Sequence, residues 1–254
     1  LVNVGTQVSG TVKKLHVDFN ARVQPDQVLA ELDPALFEAA LQQSEANLAN
    51  GDVTIESSTG FNVMGNGDIH VNDAVSWSAN NLTLTAARDI NINDVLTASG
   101  TSSLTLNAAT SNGQDAAVAG GTVRVGFNPD GSFKGRVDFP GRIGTGFLTI
   151  KGNDYTVINS LGAEGSMTGT DLQGINGDLN GFYALGGNID ASASAAFAGG
   201  FQPLGGVEIG FTGGFDGLGH TISNLTINRP MEDTVGLFGR AYGIDSPVEI
   251  RNVG

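Results

Sequence analysis

A seven-residue motif that occurs twice within a short stretch is the feature that most constrains the fold of this chain. Residues 67–73 read GDIHVND and residues 88–94 read RDININD, and no helical pattern separates them. The repeat is wider than the motif, because Leu82-Thr-Leu84 returns as Leu104-Thr-Leu106 after 22 residues. Apolar residues alternate with Thr, Asn, Ser and Asp throughout, which is typical of strands with one buried face.

The spacing of these strands predicts a stack of coils. Phe61-Asn-Val63 lies 21 residues before Leu82-Thr-Leu84, and Val53-Thr-Ile55 lies 22 before Val75-Ser-Trp77, so the alignment predicts three consecutive coils. One coil cannot bury its own apolar face, whereas stacked coils pair successive strands at about 4.8 Å and bury like side chains against each other. The repeat therefore predicts a mainly β fold, a parallel β-helix or β-solenoid, in which Leu82 lies on Leu104.

Composition narrows the function classes that such a fold can serve. The 254 residues include 38 Gly and no Cys, and the net charge is −14. The lack of Cys excludes disulfides and thiolate metal sites. The excess of acidic residues argues against binding to nucleic acid, which requires clustered Lys and Arg. It also argues against binding to an anionic membrane surface. No apolar run reaches the length of a membrane-spanning helix, so no membrane insertion is expected and the pattern favours a soluble, self-repelling surface protein.

The pattern divides the chain into three predicted domains. Residues 1–49 carry short alternating strands and then a helix that begins at Asp33-Pro34, since Asp is a good N-cap and Pro suits the first helical position. Residues 50–175 hold the coils, interrupted by a loop at 110–115 and a hairpin. Residues 176–254 are Gly-rich and continue the strands. Because the chain starts at Leu, shows no signal peptide and ends within a repeating pattern, we expect it to be a fragment.

Two segments of residues 1–49 read VSGTVKKLHVDFNARV and QVLAELDPALFEAALQQSEANLA. They resemble the first half of the lipoyl-like β-domain and the start of the α-hairpin of membrane-fusion, or periplasmic adaptor, proteins of efflux pumps and type I secretion. The family's Lys-Gly before Gln-Val-Leu is replaced here by Pro25-Asp26. The interpretations are an adaptor segment, a hairpin and helix that cap the following coils, or a fusion near Ala49-Asn50.

The later part of the chain carries the segments NLTLTAARDININDVLTASGTSSLTLNA, GTVRVGFNPDGSFKGRVDF, GFYALGGNIDASASAAFAGGFQPLG and FDGLGHTISNLTIN. Together they resemble the filamentous-haemagglutinin-like adhesins of two-partner secretion, and GLFG with IRNVG is similar to the GLUG motif of such surface proteins. The resemblance covers residues 50–254. It implies a right-handed parallel β-helix shaft that an outer-membrane partner transporter exports to the bacterial cell surface.

The histidines do not predict a metal or catalytic centre. His16, His70 and His220 lie in separate motifs, without the spacing that metal ligands need. His70 alternates with apolar neighbours and should face solvent. His220 should occupy a turn before a strand at residues 221–227.

The acidic residues are also better explained by structure than by catalysis. Asp68, Asp73, Asp89 and Asp94 align at coil ends beside Asn and Gly, where Asp commonly satisfies turn backbone. The alternative is the paired carboxylates of a carbohydrate-active β-helix enzyme. Asp216 in Phe-Asp-Gly-Leu-Gly is likewise predicted to form a tight turn.

Four further motifs have a structural interpretation as well. Asn128-Pro-Asp-Gly131 favours a hairpin over a calcium loop, because the later Glu is missing. The glycines of residues 214–219 lack the βαβ unit of a dinucleotide site. Trp77 is expected in the core or at a coil end, and Asn81 and Asn224 begin glycosylation sequons that chance alone can produce.

The sequence thus favours a non-enzymatic, structural segment of a secreted bacterial adhesin, with no cofactor and with a host-cell or matrix receptor. One alternative is a polysaccharide-acting β-helix enzyme. Another is a fragment of a periplasmic adaptor of an efflux or type I secretion system. The receptor, the oligomeric state and the glycosylation of Asn81 and Asn224 stay open at this point.

Overall fold

The computed structural model describes residues 12–17, 22, 29–32, 48–57, 67–108, 121–243 and 248–254. The chain divides into two compact units, Leu1–Asn47 and Leu48–Gly254. The three-domain division drawn from the sequence stays a prediction. The helix predicted from Asp33, the loop at 110–115 and the strand predicted at Phe61-Asn-Val63 lie outside the described residues.

In the first unit, two short strands pair in an antiparallel arrangement. They are β1 (Val12–Leu15) and β2 (Ala30–Leu32). The register joins Leu15 to Ala30 and Val12 to Leu32, with an irregularity between Val12 and Lys14. Beyond β1, the backbone N–H of His16 donates to the carbonyl of Leu29 at 2.9 Å, so the pairing extends by one residue.

The second unit is built mainly from short strands, as the alternating pattern predicts. A helical turn at 48–50 precedes them. The strands are β3 (Val53–Glu56), β4 (Ile69–Val71), β5 (Val75–Trp77), β6 (Asn81–Ala86), β7 (Ile90–Ile92), β8 (Val95–Ala98), β9 (Ser103–Ala108), β10 (Val123–Val125), β11 (Arg136–Asp138), β12 (Leu148–Ile150), β13 (Asn153–Asp154), β14 (Thr156–Ile158), β15 (Phe182–Leu185), β16 (Ile189–Asp190), β17 (Gly214–His220), β18 (Ile222–Ser223) and β19 (Glu249–Val253). Two short 3₁₀ helices lie at η1 (Gln173–Gly177) and η2 (Ser192–Ala196).

Strands β3 to β12 form three parallel sheets. Their orders are β4-β7-β10, β5-β8-β11 and β3-β6-β9-β12, and β13 adds to the last sheet in an antiparallel arrangement. The chain visits one strand of each sheet in turn and then returns to the first sheet. Successive strands of a sheet are therefore separated along the chain by two strands that belong to the other two sheets.

The register places like side chains on one another. Leu82 pairs with Leu104 and Leu84 with Leu106, as the repeat predicts. All four side chains are buried, because alternate residues of a strand point to the same face. Burying a leucine side chain contributes about 2 kcal/mol, so a ladder of this kind is the main source of stability in these sheets.

The strand at Val53 lies in a different sheet from the one predicted. The repeat alignment sets Val53 on Val75, but the structure pairs Val53 with Leu82 and Ile55 with Leu84, whereas Val75 pairs with Leu96. The prediction is wrong because an alternation with a period of two residues fits any of the three sheets equally well. Which sheet a strand joins depends on the length of the connection, and here 29 residues separate Val53 from Leu82.

Strands β14 to β19 form a four-stranded parallel sheet, β14-β15-β17-β19, and a two-stranded sheet, β16-β18. The core beside them is aromatic, with Phe201, Phe211 and Phe215 fully buried. Glycine is needed where backbones of neighbouring layers touch. A Cβ on Gly213 would lie 1.8 Å from the carbonyl oxygen of Gly181, so no larger residue fits there without moving a strand.

Candidate functional site

The sheet of β14, β15, β17 and β19 holds a buried ion pair. Asp216 on β17 is fully buried and pairs in register with Arg251 on β19. Its Oδ2 lies 2.8 Å from Nε of Arg251. Its Oδ1 accepts hydrogen bonds from the N–H of Leu218 and from Nδ2 of Asn252, both at 2.9 Å. The carboxylate is therefore fixed from three directions.

The tight turn predicted at Asp216 is wrong. Asp216 lies within β17, and the left-handed backbone comes two residues later, at Leu218 with φ 48°. The bond from the Leu218 N–H to Asp216 is the local contact that the motif Phe-Asp-Gly-Leu-Gly predicts. The sequence does not reveal that a guanidinium arrives from the neighbouring strand, 35 residues further along the chain.

The guanidinium of Arg251 continues the charge network toward the surface. Its Nη1 lies 2.7 Å from Oε2 of Glu249, and Oε1 of Glu249 lies 3.6 Å from Nζ of Lys151. The side chain of Glu249 is 42% exposed. The third nitrogen of Arg251, Nη2, is buried and has no hydrogen-bond partner among the described residues.

An open groove of about 280 Å³ lies beside this network. It is lined by Ile150, Lys151, Asn153, Tyr155, Phe182, Thr212, Gly213, Gly214, Glu249 and Arg251. Burial raises the pKa of Tyr155 to about 12, so its hydroxyl stays protonated at neutral pH. Burial alone would lower the pKa of Arg251, but the charge and hydrogen bond of Asp216 outweigh it and raise that pKa.

A second buried polar contact surrounds His220. The residue is the last of β17 and is buried, so the turn predicted for it is wrong, and the strand predicted at residues 221–227 is limited to Ile222–Ser223. Its Nε2 lies 2.9 Å from the carbonyl oxygen of Val137, and its Nδ1 lies 3.3 Å from Oδ1 of Asn188. That Oδ1 also accepts the N–H of Thr221, so it is an acceptor. A neutral imidazole can donate to only one of the two oxygens.

Charged groups also face His220. Oδ1 of Asp138 lies 3.4 Å from Nε2, and Nε of Arg136 lies 2.9 Å from the same carboxylate oxygen. Burial lowers the pKa of His220, and the contacts with Val137 and Asp138 oppose the shift only in part. His220 is therefore a neutral packing residue near pH 7 that joins β17 to β11.

Two of the four aspartates that the sequence predicts to be structural, Asp68 and Asp89, bind the backbone. Oδ1 of Asp68 accepts the backbone N–H of Asp89 at 3.1 Å, and Oδ1 of Asp89 accepts that of Thr122 at 2.8 Å. The side chain of Arg88 binds Asp68 through Nη2 at 2.6 Å. These carboxylates tie one layer to the next.

Asp94 and Asp73 differ from that pair. Oδ1 of Asp94 accepts the N–H of its own neighbour Val95 at 2.8 Å, and Asp73 is exposed. The four aspartates thus do not act as one group, although their spacing in the sequence is alike.

The other residues singled out from the sequence lie apart from the groove. His70 is half exposed, as predicted, and His16 of the first unit is exposed. Trp77 is buried in the core, which confirms its predicted place, and its Nε1 has no partner in the described part of the chain. Across the described ranges, no group of three or more His, Cys, Asp or Glu side chains could hold a metal ion.

The predicted hairpin at residues 128–131 is confirmed. The N–H of Asn128 donates to the carbonyl of Ser132 at 2.8 Å, and Phe127 bridges Phe133 in an antiparallel pair. The side-chain hydroxyl and then the backbone N–H of Ser132 lower the pKa of Asp130. The oxygens of this loop therefore serve the turn itself.

The two sequons differ in accessibility. Nδ2 of Asn81 donates to Oγ1 of Thr83 at 2.9 Å within the strand ladder. Asn224 is exposed at a left-handed corner with φ 58°, and its Nδ2 donates to Asp190. Glycosylation at either position stays a prediction.

Sequence reasoning missed the residues of the groove. Arg251 lies in IRNVG, which resembles a motif of surface proteins, and Glu249 directly precedes that motif. Lys151 and Tyr155 lie in strands and turns without a distinctive pattern. A usable signal would have been the register of β17 against β19, because it sets Asp216 opposite Arg251. No repeat predicts that register.

Comparisons with known proteins point to one family. The family model described as RND MFP, barrel-sandwich hybrid domain, matches residues 1–248. Halomucin of Haloquadratum walsbyi is 42% identical over 93 residues, which is 33% of this chain and 1% of halomucin. The chain thus spans about 1% of the length of that curated relative. No solved structure matches.

The family match corrects the function expected from the sequence. The expectation of a filamentous-haemagglutinin-like adhesin is wrong, because the matched range includes residues 50–248, on which that resemblance depended. Repeated Thr-, Asn- and Gly-rich strands indicate how the layers pack. Proteins that share one packing arrangement can have many different functions. Within the described ranges, the structure contains no helix that is long and apolar enough to cross a membrane.

Proposed function

Because this chain belongs to the RND membrane-fusion protein family, we propose that it is a section of a periplasmic adaptor and acts without catalysis. The family match across residues 1–248 is the observation that carries the proposal. An adaptor works by holding partner proteins of the cell envelope in a fixed arrangement. Its requirements are a stable scaffold and contact surfaces, and it needs no reaction centre.

The first unit supports this proposal. The antiparallel strands β1 and β2 fall within the two segments of sequence that resemble the adaptor β-domain. Leu15, at the end of β1, is an apolar residue with 65% of its surface exposed. A single exposed apolar side chain is ordinary by itself, and Leu15 serves as the position at which a contact made by the first unit can be tested.

We propose further that the second unit is a spacer in which the sheets wind as a right-handed parallel β-solenoid. The support is the order of the strands, since the chain returns to each of three parallel sheets in strict rotation. Connections between parallel strands of one sheet are right-handed in about 98% of cases. Each layer would add about 4.8 Å to the length of the spacer.

The adaptor proposal is tested in the cell envelope of the organism that encodes the chain. We expect the full-length protein, cross-linked in intact cells and purified by an affinity tag, to recover an RND transporter. Leu15→Asp should reduce that recovery severalfold, because it places a charge on an apolar contact surface. Ile143→Asp is the matched control, because Ile143 is similarly exposed at 52% but lies in the second unit.

Two results would contradict the adaptor role. One is recovery of the protein from the culture medium or the outer cell surface, with no transporter cross-linked to it. The other is an equal loss of transporter for both variants, since that would indicate general damage and not a contact made by the first unit.

The solenoid is tested by a pair of engineered cysteines, for which the chain offers a background without Cys. Thr83 and Thr105 pair in register on adjacent strands, at a Cα separation of about 4.8 Å that suits a disulfide. We expect Thr83→Cys with Thr105→Cys to oxidise readily. Thr83→Cys with Asn107→Cys is off register by two residues, at about 8 Å, and should not. Equal oxidation of both pairs would exclude the proposed stacking.

A further inference from the structure

The groove beside Arg251 contains an internal carboxylate that can be replaced. Glu249 bridges two cations, with Oε2 at 2.7 Å from Nη1 of Arg251 and Oε1 at 3.6 Å from Nζ of Lys151. Its side chain is the most exposed of the three, whereas Asp216 behind it is fully buried. Glu249 can therefore swing into solvent without disturbing the buried pair.

One of the two cations that contact Glu249, Arg251, is held in place without it. Asp216 fixes Arg251 through Nε at 2.8 Å, and Asn252 fixes Asp216 through Nδ2 at 2.9 Å. Lys151 has a left-handed backbone with φ 52°, at the turn between β12 and β13. The guanidinium is thus fixed by the scaffold, which limits the entropy lost when a ligand binds, and Lys151 supplies a second positive group from the turn.

Arg251 has a further donor nitrogen, and the hydroxyl of Tyr155 lies close enough to the guanidinium to interact with it. Nη2 of Arg251 is buried and lacks a hydrogen-bond partner among the described residues. A buried donor without an acceptor is unfavourable, and an acceptor that reaches it removes that cost. Once Glu249 leaves Nη1, the nitrogens Nη1 and Nη2 are two donors that match the two oxygens of a carboxylate.

The remaining walls of the groove suit a small polar ligand with an apolar face. Phe182 is half buried and packs on Tyr155 with ring centroids 5.4 Å apart, so it provides a fixed aromatic wall. Thr212 and Asn153 provide hydroxyl and amide groups. The volume of about 280 Å³ has room for one sugar ring or one amino acid.

We propose that this groove binds a small carboxylate of sugar-acid or amino-acid size, whose carboxylate takes the place of Glu249 between Arg251 and Lys151. The inference goes beyond the adaptor role and does not depend on it, because it rests on the second unit alone. Glu249 is then an internal competitor that keeps the site closed in the absence of ligand.

The experiment titrates the intact chain with D-glucuronate, L-glutamate and D-glucose, and follows binding by isothermal calorimetry and by amide chemical shifts of residues 212–214. We expect saturable binding of a carboxylate and none of glucose, which has the ring but no charge. The comparison of glucuronate with glutamate distinguishes a sugar acid from an amino acid as the source of the carboxylate.

Two surface substitutions test the assignment without disturbing the buried pair. Glu249→Gln removes the competing carboxylate and should tighten binding about tenfold, and Lys151→Gln removes one cation and should weaken it about tenfold. Gln and Lys are both non-glycine residues without a branch at Cβ, so Lys151→Gln leaves the strain of the left-handed backbone unchanged. The matched control is Glu232→Gln, because Glu232 is similarly exposed and binds Arg229 at 2.7 Å outside the groove.

The proposal is overturned by either of two results. The first is binding of glucose with the affinity of the carboxylates, or no saturable binding of any of them. The second is an affinity that Glu249→Gln and Lys151→Gln leave at the value of the Glu232→Gln control.

Discussion

The two regions of the second unit stack parallel strands in different ways. From β3 to β12, aliphatic side chains lie on aliphatic side chains, as when Leu82 meets Leu104, and the outward pairs include Thr83 on Thr105. From β14 to β19, like pairs such as Ile189 with Ile222 also occur, but Asp216 meets Arg251 in register. The first scheme is repetitive and tolerant, whereas the second contains a pair in which each residue requires its particular partner.

The two regions differ in whether their contacts select a single strand register. A ladder of leucines is satisfied by any register that keeps the apolar face inward, so it stabilises the layers without selecting among them. A buried carboxylate is costly without its guanidinium, so the pair Asp216–Arg251 is satisfied in one register only. We expect the repetitive region to contribute bulk stability and the later region to define a unique arrangement.

The largest effect is expected at the buried ion pair. Asp216→Ala leaves the guanidinium of Arg251 buried without its main partner and should lower the free energy of unfolding by about 4 kcal/mol. Urea denaturation measures the change, with Glu232→Ala as an exposed control that should cost less than about 1 kcal/mol. A loss at Asp216 no larger than that of the control would remove the distinction between the two regions.

A smaller loss is expected in the aliphatic ladder. Leu104→Ala opens a cavity between Leu82 and Leu148, its partners on both sides, and should cost about 3 kcal/mol. Thr105→Ala on the same strand faces outward and should change stability by less than about 0.5 kcal/mol. If both substitutions had the same effect in denaturant, the inward and outward assignment of β9 would be wrong.

A pH-dependent loss of stability is expected from His220. Its pKa in the folded state is lowered from the ordinary value of about 6.5, so the unfolded chain binds the proton more tightly. The stability is therefore complete above about pH 6.5 and declines as the pH falls below it, by at most about 1.4 kcal/mol per pH unit.

Urea midpoints between pH 5 and pH 7.5 measure this decline. His220→Gln should flatten the profile in that range, whereas His70→Gln, at a half-exposed position, should leave it unchanged. Asp138 and Arg136 face the imidazole, and a profile that survives unchanged in His220→Gln would contradict the assignment to His220.

The smallest effect is expected from the outer polar rows. Nδ2 of Asn93 donates to Oδ1 of Asn72 at 2.8 Å on the surface of adjacent layers. Asn93→Ala should lower stability by only about 0.5–1 kcal/mol, because water replaces most of an exposed hydrogen bond. Thermal unfolding measures this loss of stability. A loss as large as that of Leu104→Ala would mean that the outer polar residues stabilise the strands as much as the buried leucines do.

Particular residues show how much could be predicted from the sequence. The pairing of Leu82 with Leu104 was predictable, because strands of equal length with equal spacing bury identical faces. The place of Val53 was not, since its alternation suits three sheets equally. The groove was also unpredictable, because Lys151 and Arg251 line it from segments that no repeat relates.

The sequence by itself determined that the protein is mainly β, that its strands have one buried face and that like residues lie on one another in the repetitive region. Alternation and spacing are local properties, and they decide these features before any long-range contact forms. Only the tertiary structure decided which strands are neighbours beyond the repeat, that Asp216 and His220 are buried, and that Glu249 lines a groove with Arg251. Those outcomes depend on the unequal lengths of the connections and on the partner of each buried polar group. An alternation with a period of two residues predicts neither the connections nor the partners.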